Sequence, residues 1–232
     1  DGRENDQLRP VEILPGINRF AEGSCLIRCG NTHVLCTASV EERTPPHVPE
    51  GEGWVTAEYS MLPRANRERS RRDISKLKLS PRSAEIQRLV GRALRAAVDL
   101  KKLGARTITI DCDVLQGDGG TRTASVTGGF VALSYACWKL VEEGVIPEMP
   151  ITTCVAAVSA GIVDDVPMLD LCYEEDSSAM VDLNCVMNHE GEIIELQGTG
   201  EGRAFTIAEQ RQLVDLCAKG IREIQAIQKA VL

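Results

Sequence analysis

One order of elements occurs twice in this chain: strand-patterned segments come first, and amphipathic helices follow them. Residues 11–14, 25–29, 34–38 and 54–59 are short runs rich in β-branched, aliphatic and cysteine side chains bounded by turn residues, the pattern of half-buried strands. Gly30-Asn31-Thr32, between the second and third runs, predicts a hairpin. From Ala84 to Leu103 the apolar residues Ile86, Leu89, Val90, Ala93, Leu94, Ala97 and Leu100 recur at helical spacing, with Ser83 as a cap and Gly104 as a stop. A strand over 107–114 then runs into Gly117-Asp118-Gly119-Gly120 and a second helix that reaches about Glu143. The second half repeats the order, with strands at 151–163, 167–174, 179–187 and 192–197. Tight turns fall at Asp164-Asp165 and His189-Glu190-Gly191, and the closing helix opens on the capping box Thr206-Ile207-Ala208-Glu209. Strands joined by hairpins and covered by helices predict an α+β fold with mixed or antiparallel sheets. The two halves share element order without an alignable repeat. They divide near Gly144–Pro150, giving structural halves of about 1–146 and 147–232 within a single domain.

Composition fits such a fold. The chain has 232 residues, 43% hydrophobic and 26% charged, enough to bury a core in one large domain or two small ones of about 150 residues. No uninterrupted apolar run approaches the ~20 residues that span a bilayer. The first residues are polar, so neither a transmembrane segment nor a secretory signal is expected, and a cytoplasmic location is. Nine cysteines form no Cys-x-x-Cys pair and sit mostly inside apolar runs, which predicts small buried hydrophobes rather than disulfides or a zinc site. His33, His47 and His189 stand apart in sequence, so a histidine-based site is not expected.

Three segments carry the chemistry. From Arg64 to Arg82, eight basic side chains face two acidic ones, a local +6 inside a chain of net charge −8. The plain reading is a solvated loop. The imbalance points instead to a polyanion partner held through its phosphates. The turn Gly119-Gly120-Thr121-Arg122-Thr123-Ala124-Ser125 lies between a strand and a helix. Its glycines permit close approach, the first helical N–H groups are unpaired, and hydroxyls and an arginine stand beside them, which together suit an oxyanion. An ordinary capped helix start is the alternative, and no Walker or dinucleotide spacing is present. In the third segment, Val181, Leu183, Cys185 and Met187 share one face of a strand, leaving Asp182 and Asn184 on the other, near Glu174, Glu175 and Asp176. Such carboxylates hold Mg²⁺ through oxygen, or raise one another's pKa as a general acid needs. A solvated acidic sheet face is the alternative.

These blocks, in this order, resemble the ribonuclease PH family of phosphate-dependent 3′ exoribonucleases, also described as tRNA nucleotidyltransferases. The resemblance runs nearly end to end and rests on Leu8-Arg9-Pro10, Ala21-Glu22-Gly23-Ser24, 34–39, 53–59, Met61-Leu62-Pro63-Arg64, 85–89, 111–116, Gly119-Gly120-Thr121-Arg122-Thr123-Ala124, Asp176 with Asp182, and Gln197-Gly198-Thr199. It implies a duplicated β-β-β-α-like fold and a ring-shaped homohexamer, a trimer of dimers. It implies a reaction in which inorganic phosphate attacks the last phosphodiester of an RNA 3′ end, chiefly of tRNA precursors and also of rRNA, and releases a nucleoside 5′-diphosphate. Position by position, Arg82, Gly120, Thr121 and Arg122 resemble the family's phosphate-binding residues, and Asp176 and Asp182 its catalytic acidic pair, with Mg²⁺ on one or both. Arg64, Arg69 and Arg72 resemble its RNA-guiding residues. Asp182 is either a metal ligand or the acid that protonates the leaving 3′ oxygen. Ser80-Pro81 departs from the family, where glycine is frequent before the arginine that Arg82 matches. Two rival classes are a catalytically inactive RNA-binding ring subunit, which would lack site arginines or aspartates, and a hydrolytic nuclease, which would not depend on phosphate.

Overall fold

The computed structural model describes residues 2–72, 75 and 78–232; Asp73 and Lys76, both counted in the basic arm, lie outside the described residues. The chain runs β1 (Val11–Pro15), β2 (Gly23–Cys29), β3 (Thr32–Glu41), β4 (Trp54–Met61), α1 (Pro81–Arg95), α2 (Leu100–Leu103), β5 (Thr107–Gln116) and α3 (Thr121–Glu142). It continues with β6 (Val155–Val163), β7 (Val166–Leu169), α4 (Tyr173–Ser178), β8 (Val181–Asn188), β9 (Ile193–Thr199) and α5 (Ile207–Val231). The strands form a five-stranded sheet in the order β1-β2-β3-β5-β4 and a four-stranded sheet in the order β7-β6-β8-β9. Among the described residues only the β4–β5 pair is parallel; the other pairings are antiparallel. The expected α+β class is therefore borne out. The β2–β3 turn carries Gly30 at φ +53°, and the β6–β7 turn carries Asp164 and Asp165 at φ +49° and +61°.

Helix α3 lies between the sheets, against β2, β3 and β5 on one side and β6 and β8 on the other. Of its 22 residues 16 are buried, many of them small: Ala124, Ser125, Gly128, Gly129, Ala132 and Ala136. By length and composition α3 could cross a bilayer, contrary to the absence of such a run read from the sequence. Its burial against both sheets accounts for that apolarity. β6 is buried on both faces because α3 covers one and α5 the other. β8 divides its side chains the same way: Val186 joins the first core, while Val181, Leu183, Cys185 and Met187 join the second with Leu213, Cys217, Ile221 and Ile224 of α5. All nine cysteines are free, as expected, and Cys25, Cys36 and Cys112 stand side by side across three neighbouring strands.

Two expectations need correction. The helix predicted over 84–103 starts at Pro81, with Ser80 as its cap accepting from the Ser83 N–H at 3.0 Å, so proline occupies the first turn it favours. It also breaks at 96–99. There the Asp99 N–H donates to Pro150 O at 2.8 Å and Ala97 O accepts from the Thr152 N–H at 2.8 Å, so these backbone groups are taken by the β6 approach and do not continue the helix. The strand predicted over 167–174 ends at Leu169. Asp170 turns the chain at φ +57°, and the acidic run becomes the first turn of α4, where the helix dipole favours negative charge.

The tightest backbone approach is β2 to α3, where a Cβ on Gly23 would lie 2.0 Å from Ala132 O. No rotamer change relieves a clash with backbone. Gly23→Ala should therefore lower stability by about 1–3 kcal/mol, measured as a reduced denaturation midpoint with an unchanged slope.

Candidate active site

Helix α3 begins at the seam between the sheets. Its N-cap, Gly120, sits at φ +64° and offers no side chain, so the leading N–H groups at 121–123 precede the first intrahelical donor, Ala124, with no side-chain cap. They open onto a cleft of about 350 Å³ lined by Arg82, Gly120, Thr121, Arg122, Asp176 and Asp182, with Ser159, Ser177, Ala179, Asn184 and Glu201 completing the wall. The six residues read from the sequence as phosphate-binding and catalytic thus meet in one place, although they come from α1, α3, α4 and β8. The other two hydroxyls expected there do not contribute. Thr123 Oγ1 donates to Gly120 O at 2.9 Å and Ser125 Oγ to Thr121 O at 2.8 Å, bonds that tie them into the helix backbone.

The arginines are aimed by neighbours. Arg122 Nη1 donates to Gln197 Oε1 at 2.9 Å and lies 3.5 Å from Glu85 Oε1, while Gln197 Nε2 donates to Glu85 and to Glu195 at 3.1 and 3.3 Å. Tyr59 and Thr121 share a hydrogen bond of 2.8 Å. Burial raises the Tyr59 phenol, and the Thr121 bond and the cations Arg82 and Arg122 work against that rise. Asn184 was read from the sequence on the same strand face as Asp182; Tyr59, Glu85, Ser159 and Glu201 were not singled out. Each comes from an element that no motif joins to the glycine turn.

The acidic pair is electrostatically coupled. Asp182 is pushed up to about 6, first by burial and then by the charge of Asp176, with Arg122 and the Asn184 bond opposing. Asn184 Nδ2 donates to Asp182 Oδ2 at 3.0 Å. Asp182 Oδ1 is buried with no hydrogen-bond partner among the described residues. Asp176 is raised as well, by desolvation, against the pull of Arg82 and Arg122. An orphaned carboxylate oxygen beside a second carboxylate is an all-oxygen donor set that fits a hard divalent cation. No group of three or more His, Cys, Asp or Glu among the described residues is placed to hold a metal alone, so a cation here would share its ligands with substrate oxygens.

The three RNA-guiding candidates lie outside this cleft. Arg64 lines a separate groove of about 800 Å³ with Asn31, Asn66, Arg67, Gln116 and Asp118. Arg69 and Arg72 are exposed, and Arg72 is near enough to Asp113 to offset part of the rise that burial gives that carboxyl.

Family models of the 3′ exoribonuclease family match residues 7–138 as RNase PH domain 1 and residues 153–219 as RNase PH domain 2. The chain belongs to this family. It is 54% identical over 231 residues to Ribonuclease PH of Syntrophomonas wolfei, covering 99% of this chain and 97% of that one. It is 56% identical over 233 residues to Ribonuclease PH of Bacillus pumilus, covering 100% and 96%. The fold matches the crystal structure of rice (Oryza sativa) Rrp46 with a TM-score of 0.80 at 16% identity, over 99% and 98% of the two chains. The 3′ exoribonuclease family thus claims both sheets and the helix start between them.

The Asp182 shift has a sign that stability measurements can read. Its folded-state pKa lies above the unfolded value, so its contribution is favourable at low pH and is lost as pH rises from about 4 through about 6. In EDTA-containing buffer, Asp182→Asn should be more stable than wild type at pH 8 by on the order of 1–3 kcal/mol. The difference should vanish near pH 4, with urea midpoints at the two pH values as the check.

Proposed function

We infer that this chain is a phosphorolytic 3′-to-5′ exoribonuclease, a nucleotidyltransferase that trims RNA 3′ ends with inorganic phosphate. The observation that carries the reading is the single cleft in which uncapped α3 amides and two arginines face two carboxylates. The first half of that cleft suits a dianion and the second suits proton delivery. Curated relatives named Ribonuclease PH at 54–56% identity support it. An inactive ring subunit is disfavoured by the presence of Arg82, Arg122, Asp176 and Asp182 together, and a hydrolase would need water activated by a denser metal site than the described residues offer, with no group of three or more His, Cys, Asp or Glu placed to hold one.

In this reading Arg82 and Arg122 bind phosphate and orient one of its oxygens, with Arg122 held on line by Gln197. Thr121 and the α3 N–H groups take the remaining oxygens. The bound phosphate attacks the phosphorus of the last phosphodiester. The bond from that phosphorus to the neighbouring 3′ oxygen breaks, and the terminal nucleotide leaves as its 5′-diphosphate. Asp182, protonated at Oδ1, gives its proton to the departing 3′ oxygen, and the reverse reaction takes that proton back. Asp176 keeps the Asp182 proton in place by disfavouring a second charge. With Asp182 as the acid, Asp176 would hold Mg²⁺ through oxygen, and the ion would supply charge compensation for the reacting phosphoryl group; an ion that also took Asp182 would make it a ligand in place of an acid.

Two experiments test this. RNA trimming should require phosphate and yield nucleoside diphosphates, and monophosphates released at an undiminished rate in phosphate-free buffer would sink the reading. Arg122→Ala should fold and lose about 10²–10³-fold in rate, while Asp182→Asn should lose activity with RNA binding kept.

The exposed basic arm supports RNA, chiefly with tRNA-like 3′ ends, as the substrate body. A homohexameric ring would gather several arms at one rim, and large apolar side chains left open on the single chain, Phe20 at 81% and Trp138 at 53% exposure, support assembly. Replacing Arg64, Arg69 and Arg72 together should weaken tRNA binding and flatten its salt dependence by about one counterion per lost contact. Turnover of a short oligonucleotide at saturation should change far less. Equal losses on both substrates would place the arm in the catalytic centre or the assembly, and sedimentation of the triple variant would separate those two.

A further inference from the structure

The cleft is divided between the two halves of the chain, because Gly120, Thr121 and Arg122 open α3 while Asp176 and Asp182 belong to α4 and β8. The distance between phosphate and proton donor is therefore set by whatever joins the turn before α3 to the segment before α4. Arg9, only 3% exposed, makes that junction. Its backbone N–H and its Nε donate to Asp170 Oδ2 at 2.9 and 3.0 Å, and its Nη2 donates to Asp170 Oδ1 at 2.7 Å. Its Nη1 reaches across to the Asp118 carbonyl at 2.5 Å.

Both partners are held in turn. Asp170 stands in the left-handed region at φ +57°, which aspartate tolerates better than most residues. Its N–H donates to Ser159 O at 2.7 Å and the next N–H, of Leu171, donates to Ser159 Oγ at 3.2 Å. On the turn, Thr32 Oγ1 accepts the Asp118 N–H at 2.9 Å and donates to Gly119 O at 2.5 Å. The Tyr173 N–H, at the start of α4, donates to Asp118 Oδ1 at 3.2 Å. Gly119 is pressed so closely on the second half that a Cβ there would lie 2.3 Å from Leu171 O. Arg3 extends the strap to α4 itself, with Nη2 on the Glu175 carboxylate and Nη1 on Leu169 O at 2.6 Å.

We propose that Arg9 is a positioning residue for the phosphate: through Asp170 and the Asp118 carbonyl it holds the Asp118–Gly120 turn, and hence the α3 amides, at a fixed separation from Asp176 and Asp182. This rests on the reading of the cleft as a phosphate site. Arg9 does not line that cleft. It acts because one rigid fork spans a carboxylate and a carbonyl together, which an ammonium does not do. A turn released by about 1 Å would misplace several donors at once, and such misplacement costs up to about 10²-fold.

The test uses the full chain and inorganic phosphate. Arg9→Lys, and Asp170→Asn as the variant closest in shape, should each raise the KM for phosphate about tenfold or more, with the KM for a short oligonucleotide within about twofold of wild type. Without RNA, phosphate should raise the Tm of wild type and raise that of either variant much less. A purely structural role would lower Tm in phosphate-free buffer yet leave both the phosphate KM and the phosphate-induced rise at wild-type values, which overturns the inference. If Arg9→Lys does not fold, Asp170→Asn decides by the same two readouts. A wild-type Tm indifferent to phosphate overturns the underlying reading of the cleft, and this inference with it.

Discussion

Packing one helix lengthwise between two sheets is the constraint on which the rest of this structure depends. A helix so enclosed must present small residues to both sides, and α3 does so with Gly128 and Ala132 toward β2 and β3 and with Thr127 toward β6. Its polar groups need partners inside the protein. Thr127 Oγ1 accepts the Ala157 N–H at 3.1 Å, and the fully buried Gln228 donates to Thr127 O and Val155 O at 3.0 Å each. Most of the side of α3 is thereby committed to the core, and its N-terminus opens onto the cleft. The three leading amides, at 121–123, and the positive end of a dipole converge there.

The cleft is cut by the same geometry. Because α3 starts at the seam, one half of the chain contributes Arg82, Gly120, Thr121 and Arg122, and the other contributes the carboxylates. The electrostatics divide likewise: burial raises both acids and the Asp176 charge raises Asp182 further, while Arg122 pulls both down and Arg82 pulls down Asp176. The net result is a carboxyl near pH 6 within reach of a cation-lined pocket. A core of apolar residues alone would not produce that balance, since it needs both halves of the chain at one fixed spacing.

Much of this was legible in the sequence. A glycine turn between a strand and a helix suits an oxyanion as well as it suits an ordinary capped helix start, so Gly120, Thr121 and Arg122 could be read locally as candidates. Asp182 was legible because strand alternation puts it opposite Val181 and Leu183. The helix break at 96–99 was not, since its cause is a bridge from Val98 to Ile151, far away in sequence. Nor was α4, whose acidic first turn reads as well for the end of a strand. Tyr59 and Ser159 look like ordinary strand residues, and only folding brings Ser159 to the cleft and Tyr59 against Thr121. Arg9 stood inside a recognised block, yet its partner Asp170 lies 161 residues on, and no periodicity links them.

The order in which the site's parts occur along the chain has a consequence for synthesis. The basic arm, Arg82, and the turn with Arg122 are all translated before residue 123, while the carboxylates follow at 176 and 182. The strand bearing Asp182 is sealed by α5, the last element, which ends at Val231. A nascent chain therefore carries its basic residues before its acidic pair has been made, and the strand bearing Asp182 gains its cover only once α5 has packed on β8.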